Sequence, residues 1–359
     1  MYKLDKINVI PIPVDEIDST FRPQCLDLIS ASLGGKVLAV SDEWFAPATN
    51  LLLPSKPIYS EKQVFTGQWM DGWETRRHNR KPFDYTIIRL GVSSGTIEGI
   101  EIDTTFFKGN EAPAISVEGC FSSEDNQVVS WEETRGNWEV ILGVQPCGPS
   151  QRHAWKLANP TGKRYTHVRL NMYPDGGIAR FRIYGKAVPI LPSNPDAIFD
   201  LAAAQNGAIP TSWSDQEWGS LASNLLLPGR GSDMADGWET SRSRSKDHFD
   251  WVIIKLGIPG KVKSLLLDTA HFRGNFPETA RFAGIFQAGE GEPNVSDKGW
   301  QDITALHECG PDKEHVLECL SAEMTFTHVK LTIFPDGGVK RVRVFGIRSD
   351  DQARIKSRL

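Results

Sequence analysis

The chain carries nearly the same sequence pattern twice, and this duplication constrains its fold more than any other feature. Four motifs occur twice in the same order: NLLLP at 50–54 and 224–228, DGWET at 71–75 and 236–240, DT-x-x-F-(K/R)-GN at 103–110 and 268–275, and PDGG at 174–177 and 335–338. The offset between matching motifs changes only from 174 to 161 residues along the chain. Solenoid and propeller repeats are much shorter, at about 20 to 50 residues. Each copy is therefore expected to be a whole domain.

The domain boundaries follow from the motifs and from one proline-rich segment. Residues 186–196 (KAVPILPSNPD) contain three prolines and lie between the copies, which is typical of a linker. With 359 residues in total, each copy is long enough to bury its own hydrophobic core. The predicted organisation is an N-terminal extension at 1–26, a first repeat at 27–188, a linker at 189–199, a second repeat at 200–347 and a C-terminal tail at 348–359.

Hydrophobic and polar residues alternate within each copy, which indicates β-strands with one buried face. The alternating sets are Val168, Leu170 and Met172 opposite His167, Arg169 and Asn171, and Val329, Leu331 and Ile333 opposite His328, Lys330 and Thr332. An Asp-Gly pair follows each set, at 175–176 and 336–337, and predicts a hairpin turn. Helical periodicity is confined to residues 26–32 and 198–205. We predict an all-β fold, a tandem duplication of an antiparallel β-sandwich.

Charge and composition argue against several classes of protein. The formal net charge is −5 and Lys and Arg form no run, which argues against a nucleic-acid or membrane-surface partner. No apolar stretch approaches the roughly 20 residues of a spanning helix, and the N-terminus lacks a signal-peptide layout. Five cysteines without a CxxC pair argue against a disulfide framework or structural zinc. The tripeptide Ser357-Arg358-Leu359 is a variant of a peroxisomal address, so we expect a cytoplasmic or peroxisomal protein.

No standard catalytic signature is present, so the polar residues shared by the two copies carry the functional information. The densest stretch is DGWETRRHN at 71–79, matched by DGWETSRSR at 236–244. Asp71 and Glu74 are paired carboxylates suited to acid–base chemistry, and the adjacent Arg76 and Arg77 suit an anionic ligand. The structural alternative is that Asp71 caps the turn and Arg77 forms an ion pair within the fold. Both interpretations are kept at this point.

The second shared stretch combines an acidic residue with a cation and a Gly-Asn loop. In the first copy Asp103 is followed by Lys108 and Asn110, a set that could line a polar pocket. The structural alternative is a capped loop and a simple turn. His271 of the second copy stands where the first copy has Phe106, so the two sites are expected to differ.

Histidines follow the CGP motifs at equal distance, at His153 and His315. A lone histidine is more often a hydrogen-bonding or surface residue than a base or a ligand. These two are better candidates than His167 and His328 of the strands, because loops carry sites more often than strand faces do. No histidine pair has zinc-ligand spacing, which leaves open only a metal site built from distant segments.

The motifs in their order resemble the allantoicase family. The run in the first copy is SDEWF, NLLLP, DGWETRRHN, DYTIIRLG, EIDTTFFKGN, CGPSQRH and MYPDGGIARFRIYG, and the second copy repeats most of it. The resemblance covers residues 27–347 and implies two jelly-roll sandwiches of the galactose-binding-like kind. It also implies a hydrolase that converts allantoate to ureidoglycolate and urea in purine degradation. The implied substrate is a small molecule. No cofactor is predicted, a divalent metal is left open, and a homo-oligomer is one possible assembly.

The chemistry of allantoate assigns tasks to the shared residues. The substrate carboxylate requires an arginine, for which we select Arg76 or Arg77, and the leaving urea requires a proton donor. Hydrolysis by activated water and elimination followed by addition of water both remain open. The predicted catalytic residues are Asp71, Glu74, His78, Asp103, Glu239, Asp268 and His271. The predicted substrate-binding residues are Arg76, Arg77, Lys108, Asn110, His153, Arg242, Arg273, Asn275 and His315.

The two charged loops of each copy are expected to meet at one end of the sandwich. Antiparallel connection would bring Glu74 near Asp103 and Lys108, and the same would hold for the second copy. The alternative function is a tandem carbohydrate-binding module, since this type of sandwich commonly binds sugars and fold does not determine function.

Overall fold

The structure, a computed structural model, describes residues 8–22, 24–78, 80–131, 136–217, 220–245, 247–289 and 291–349. It divides into two compact units, Met1–Ile190 and Leu191–Leu359, and the division falls inside the predicted linker. The C-terminal tripeptide lies outside the described residues, and its role as a peroxisomal address stays a prediction. Within the described ranges, no helix is long and apolar enough to cross a membrane.

The first unit is a sandwich of two five-stranded antiparallel sheets. Its strands are β1 (Val9–Ile12), β2 (Leu26–Asp27), β3 (Lys36–Val40), β4 (Gln63–Val64), β5 (Gly67–Gln68), β6 (Trp73–Glu74), β7 (Asp84–Arg89), β8 (Gly95–Asp103), β9 (Ala114–Cys120), β10 (Glu139–Pro146), β11 (Arg152–Leu157), β12 (His167–Tyr173), β13 (Gly177–Ile178) and β14 (Arg180–Ala187). One sheet has the order β1-β11-β8-β14-β2 and the other β10-β9-β12-β7-β3. Short helices are α1 (Ile17–Phe21) and α2 (Asp125–Ser130), with 3-10 turns at Val14–Glu16, Ala31–Leu33 and Ala48–Leu52.

The second unit repeats this arrangement with one continuous strand in place of two. Its strands are β15 (Phe199–Asp200), β16 (Ile209–Trp213), β17 (Trp238–Glu239), β18 (Asp250–Asp268), β19 (Thr279–Ile285), β20 (Gln301–Asp302), β21 (His307–Glu308), β22 (Glu314–Glu318), β23 (Thr325–Phe334), β24 (Gly338–Val339) and β25 (Arg341–Arg348), with 3-10 turns at Ala204–Asn206 and Ala222–Leu226. The first part of β18 pairs with β16 and β23, as β7 does with its neighbours. The last part pairs with β22 and β25, as β8 does with β11 and β14.

The alternating residues lie where the sequence pattern predicts. Val168, Leu170 and Met172 are fully buried, and so are their three counterparts in β23. The pairings between named strands are antiparallel throughout the described residues. The prediction of a tandem antiparallel β-sandwich is therefore confirmed.

The two segments with helical periodicity do not form α-helices. Residues 26–32 and 198–205, which have helical periodicity, each form a two-residue strand followed by a single 3-10 turn. Each turn ends at a glycine in the left-handed region, Gly34 with φ 106° and Gly207 with φ 91°, which stops a helix from continuing. The N-terminal extension also belongs to the first unit, because β1 pairs with β11 and Phe21 stacks on Tyr184 at 4.5 Å.

His167 and His328 were assigned to a polar strand face, yet both are buried, at 0% and 2% exposure. In the first unit His167 Nδ1 lies 2.8 Å from Thr166 Oγ1 and Nε2 lies 3.1 Å from Asp125 Oδ1. Arg89 donates to the same carboxylate oxygen at 2.7 Å. The segment carrying Asp125 thus covers a face that the strand pattern alone marks as polar.

Burial lowers the pKa of both histidines, and their carboxylate partners only partly oppose this shift. The folded chain therefore favours neutral imidazoles, whose contribution to stability is present above the unfolded pKa and lost as pH falls through the folded value. We expect the free energy of unfolding to fall as the pH is lowered from 7 to 5. A double variant, His167→Gln with His328→Gln, should show a shallower fall in chemical denaturation. An equal slope in the two proteins would contradict this assignment.

Candidate functional site

Strand pairing brings the motif-bearing loops of each unit to the same end of its sandwich. In the first unit β7 begins at Asp84, opposite Met172, and β8 ends at Asp103, opposite Arg180. Only residues 173–179 separate Met172 from Arg180, so Asp84 and Asp103 lie at the same end. The two ends of β18 take the same places in the second unit. The loop before β7 and the loop after β8 therefore lie at the same end of the sandwich.

A side-chain hydrogen bond joins the two loops in each unit. Asn110 Nδ2 donates to Glu74 Oε1 at 2.8 Å, and Asn275 donates to Glu239 in the second unit. The loops thus meet as expected. Among the described contacts none joins Glu74 directly to Asp103 or to Lys108. The link between the two loops is made by Asn110 instead.

Glu74 is a buried carboxyl group at the centre of this contact, with 7% exposure. Burial raises the pKa of its carboxyl group, while the Asn110 hydrogen bond and the nearby Arg77 charge lower it less. A carboxyl group with a raised pKa keeps its proton at higher pH, which suits a general acid.

The two adjacent arginines differ in how fully they are engaged. Arg76 is bound to Asp42 through Nε at 2.9 Å and Nη2 at 2.7 Å, and its guanidinium lies over the Trp44 ring. Arg77 contacts Asp175 through Nε at 3.1 Å and is 43% exposed. Arg76 is the more exposed of the two, at 63%, but two of its nitrogens are engaged. Among the described contacts Arg77 uses only Nε, so both of its outer nitrogens can receive an anion. The adjacent His78 is exposed and donates its backbone N–H to Asp175.

Asp71 anchors a neighbouring segment. Its Oδ2 accepts hydrogen bonds from Arg180 Nη2 at 2.7 Å and from the backbone N–H of Ile58 at 2.9 Å. Arg180 is 2% exposed and also donates to the carbonyl oxygen of Ser55. This ion pair holds residues 55–58 against the end of the sandwich. These contacts give Asp71 a structural role, and its catalytic role stays a prediction.

The second unit neutralises its own carboxylates. Arg230 binds Asp268 with two parallel hydrogen bonds, Nε to Oδ2 at 2.8 Å and Nη2 to Oδ1 at 2.9 Å. Asp236, the counterpart of Asp71, pairs with both Lys340 and Arg341. Asp268 and Asp236 are therefore paired with cations of the same unit.

Asp103, the counterpart of Asp268, has no ion pair among the described residues. Its side chain is 95% buried, with 5% exposure, and the backbone N–H of Thr105 donates to Oδ1 at 2.8 Å. Burial raises the pKa of this carboxyl group, against the lowering effect of the Thr105 hydrogen bonds. The first unit thus presents a buried carboxyl group that the second unit covers with an arginine.

The first unit also carries a loop insertion that contacts the loop after Asp103. Residues 55–70 join NLLLP to DGWET, whereas residues 229–235 make the same connection in the second unit, so 16 residues stand against 7. The inserted chain forms the β4–β5 hairpin. The ring centroid of Tyr59 lies 5.7 Å from that of Phe106, in the loop after Asp103. The surroundings of the two carboxylates therefore differ in the covering chain as well.

Of the remaining predicted residues, Lys108, His271 and Arg273 lie in the loops after β8 and β18, and Arg242 lies in the loop before β18. Lys108 is exposed, and Arg273 pairs with Asp312 at 3.3 Å. His271 donates its backbone N–H to the same aspartate. Arg242 is exposed and has no ion pair within the described part of the chain. The ligand-binding and catalytic roles of these four residues stay predictions.

His153 and His315, which were expected in loops, lie near the starts of β11 and β22, and their side chains hold the CGP loops. The backbone N–H of Gly148 donates to His153 Nε2 at 3.0 Å, and that of Gly310 donates to His315 Nε2 at 3.1 Å. His315 also lies 3.2 Å from His307 through Nδ1, and burial lowers its pKa. Both ring nitrogens of His315 are therefore engaged within the fold. No group of three or more metal-ligating side chains is found among the described residues.

Several residues that complete this arrangement were missed at the sequence level. Asp175, which binds Arg77, belongs to the duplicated PDGG motif, and Arg180 is duplicated as Arg341. Repetition of these residues was a usable signal. Arg230 was not recognisable in the same way, because the first copy has Lys56 at the matching place.

Comparison with known proteins assigns both repeats to one family. The family model described as "Allantoicase repeat" matches residues 26–188 and 199–349. An allantoicase from Neurospora crassa is 61% identical over 349 residues, covering 97% of this chain and 98% of that protein. An allantoicase from Saccharomyces cerevisiae is 48% identical over 328 residues, covering 90% and 94%. The crystal structure of an allantoicase from S. cerevisiae covers 94% of this chain with a TM-score of 0.77 and 43% identity.

Proposed function

The chain belongs to the allantoicase family, and we propose that its first unit is where allantoate is bound and cleaved. The protein is a hydrolase that converts allantoate and water to ureidoglycolate and urea in purine degradation. One bond between the central carbon and a ureido nitrogen breaks. The carbon gains a hydroxyl group, and the leaving nitrogen gains a proton.

The contrast between Asp103 and Asp268 carries the assignment to the first unit. A site for a polar substrate needs groups that are not already neutralised by the protein. Asp103 lacks an ion pair among the described residues, whereas Asp268 is bound by Arg230 at two atoms. The first unit also has the loop insertion that brings Tyr59 beside Phe106. These differences favour a binding role for the first unit and a structural role for the second.

Three residues of the first unit have separate roles in the reaction. Arg77 receives the substrate carboxylate through its outer nitrogens. Glu74, whose pKa is raised by burial, donates a proton to the leaving ureido nitrogen. Asp103 receives a proton, from water in direct hydrolysis or from a substrate N–H in elimination followed by addition. Both routes give the same products and need the same two carboxyl groups.

Release of urea from allantoate by the purified protein tests this function. The assay is run with and without added divalent metal ions, because the sequence leaves a metal requirement open. Folded protein that released no urea under either condition would favour the alternative of a tandem carbohydrate-binding module. The relatives named as enzymes give that alternative no support. Homo-oligomer formation and independence from cofactors stay predictions.

Replacing Arg77 by alanine should raise the KM for allantoate by about 10- to 100-fold with little change in kcat. A charge-assisted hydrogen bond to a carboxylate contributes about 1.5–3 kcal/mol, which corresponds to this change in affinity. The measurement is steady-state urea release, with circular dichroism to verify folding. Arg242→Ala is the matched control in the second unit and should leave KM unchanged. The reverse result would move the carboxylate site to the second unit.

A further inference from the structure

The guanidinium group of Arg230, in the second unit, resembles a ureido group of the substrate. Its guanidinium presents two N–H bonds, from Nε and Nη2, that point in parallel at the two oxygens of Asp268 at 2.8 and 2.9 Å. A ureido group, –NH–CO–NH₂, is planar in the same way and carries two N–H bonds in the same relative positions. Allantoate has two such groups. The chain therefore contains, in its second unit, a bound analogue of a ureido group.

In the first unit the matching carboxylate is not occupied in this way. Lys56 stands at the position of Arg230 in the sequence, six residues after the first residue of the NLLLP motif. Its ammonium group acts on Asp18, whose pKa it helps to lower, and it makes no ion pair with Asp103. Asp103 is nevertheless 95% buried and rests on the same duplicated Asp-Thr turn as Asp268. Arg152 is near enough to lower the pKa of Asp103 but forms its ion pairs with Asp18 and Glu101. A buried carboxylate without an ion pair is costly unless donors satisfy it.

Resting on the proposed function, we propose that Asp103 is the ureido-recognising residue of the first unit. One ureido group of the substrate donates its two parallel N–H bonds to Asp103, in the geometry that Arg230 adopts on Asp268. The substrate class follows from this geometry: the ligand must carry a terminal –NH–CO–NH₂ or –NH–C(NH₂)₂⁺ group. A carboxylate or hydroxyl group in its place offers fewer donors to the buried oxygens.

The second unit supplies the sequence for a direct test. Residues 55–57 (Ser-Lys-Pro) are replaced by Gly-Arg-Gly, the sequence of residues 229–231, through Ser55→Gly, Lys56→Arg and Pro57→Gly. The new arginine should bind Asp103 and compete with the substrate. We expect the KM for allantoate to rise at least about tenfold while kcat stays close to that of the original protein.

The matched control carries the same two glycines with Lys56→Met. It has the same loop flexibility and no guanidinium, so its KM should stay near that of the original protein. Equal KM values for the arginine and methionine variants would overturn the proposal. Because urea release by the unmodified protein is measured first, that failure would leave the proposed function standing.

A small-molecule probe gives an independent readout that needs no variant. Methylguanidinium carries the two parallel donors and should inhibit competitively with allantoate at millimolar concentrations. Methylammonium has the same charge without the paired donors and should inhibit at least about tenfold more weakly. Equal inhibition by the two cations would show charge attraction alone and would count against recognition of the ureido group.

Discussion

Replacing Glu74 by glutamine should lower kcat for urea release by about 100- to 10,000-fold, the usual contribution of a general acid. Glutamine keeps the size of the side chain and can still bond to Asn110, but it cannot deliver a proton. The KM for allantoate should change much less than kcat, because Glu74 acts mainly on the leaving nitrogen. Steady-state kinetics with allantoate separates the two parameters.

The role of Glu74 as a general acid also predicts how kcat depends on pH. A general acid must be protonated, so kcat should fall as pH rises through the pKa of Glu74. Burial raises that pKa and moves the fall toward neutral pH. Glu239→Gln is the matched variant of the second unit, and it should retain the kcat and the pH profile. Should Glu239→Gln be the damaging change instead, the catalytic unit has been assigned to the wrong repeat.

Replacing Arg180 by methionine should lower the free energy of unfolding by about 3–5 kcal/mol. The change leaves the carboxylate of Asp71 buried without its cation, and an unpaired buried charge is strongly destabilising. The carbonyl oxygens of Ser55 and Lys56 also lose the donors that hold them. Chemical denaturation measures the loss. The site loops should loosen at the same time, because these residues begin the inserted segment.

A second replacement distinguishes the ion pair from the packing of the arginine. Combining Arg180→Met with Asp71→Leu removes both charges, and replacement of a buried pair by apolar groups is often neutral or stabilising. The double variant should therefore recover much of the lost stability. If it were no more stable than Arg180→Met, the side-chain packing of Arg180 would account for the loss rather than its charge.

Much of the fold was predictable, because a strand leaves a two-residue period in the sequence and a duplication shows that period twice. Val168 and its neighbours were placed correctly for this reason. His167 was not, because a segment 42 residues away supplies Asp125 and covers the opposite face. A strand pattern records one buried face and contains no information about what folds over the other.

The sequence predicted which loops meet at the site, but it did not predict which charged residues pair with each other. The shared DGWET and DT-x-x-F motifs correctly indicated two loops that meet, since both copies keep them at equal spacing. The partner of each charge was hidden, because Arg230 and Asp268 are 38 residues apart in the sequence. No periodicity relates the members of such a pair. Only the folded geometry separates an occupied carboxylate from an available one.

In each unit an early strand pairs with the last strand, and this pairing has a consequence for synthesis. In the first unit β2 pairs with β14, Leu26 lying opposite Gly185, and in the second β15 pairs with β25, Phe199 lying opposite Gly346. A chain emerges from the ribosome N-terminus first, so neither sheet can be completed until its final strand has been made. The first unit reaches that point before the linker is translated. It can therefore close while the second unit is still unmade, which separates in time two sets of nearly identical strands that could otherwise mispair.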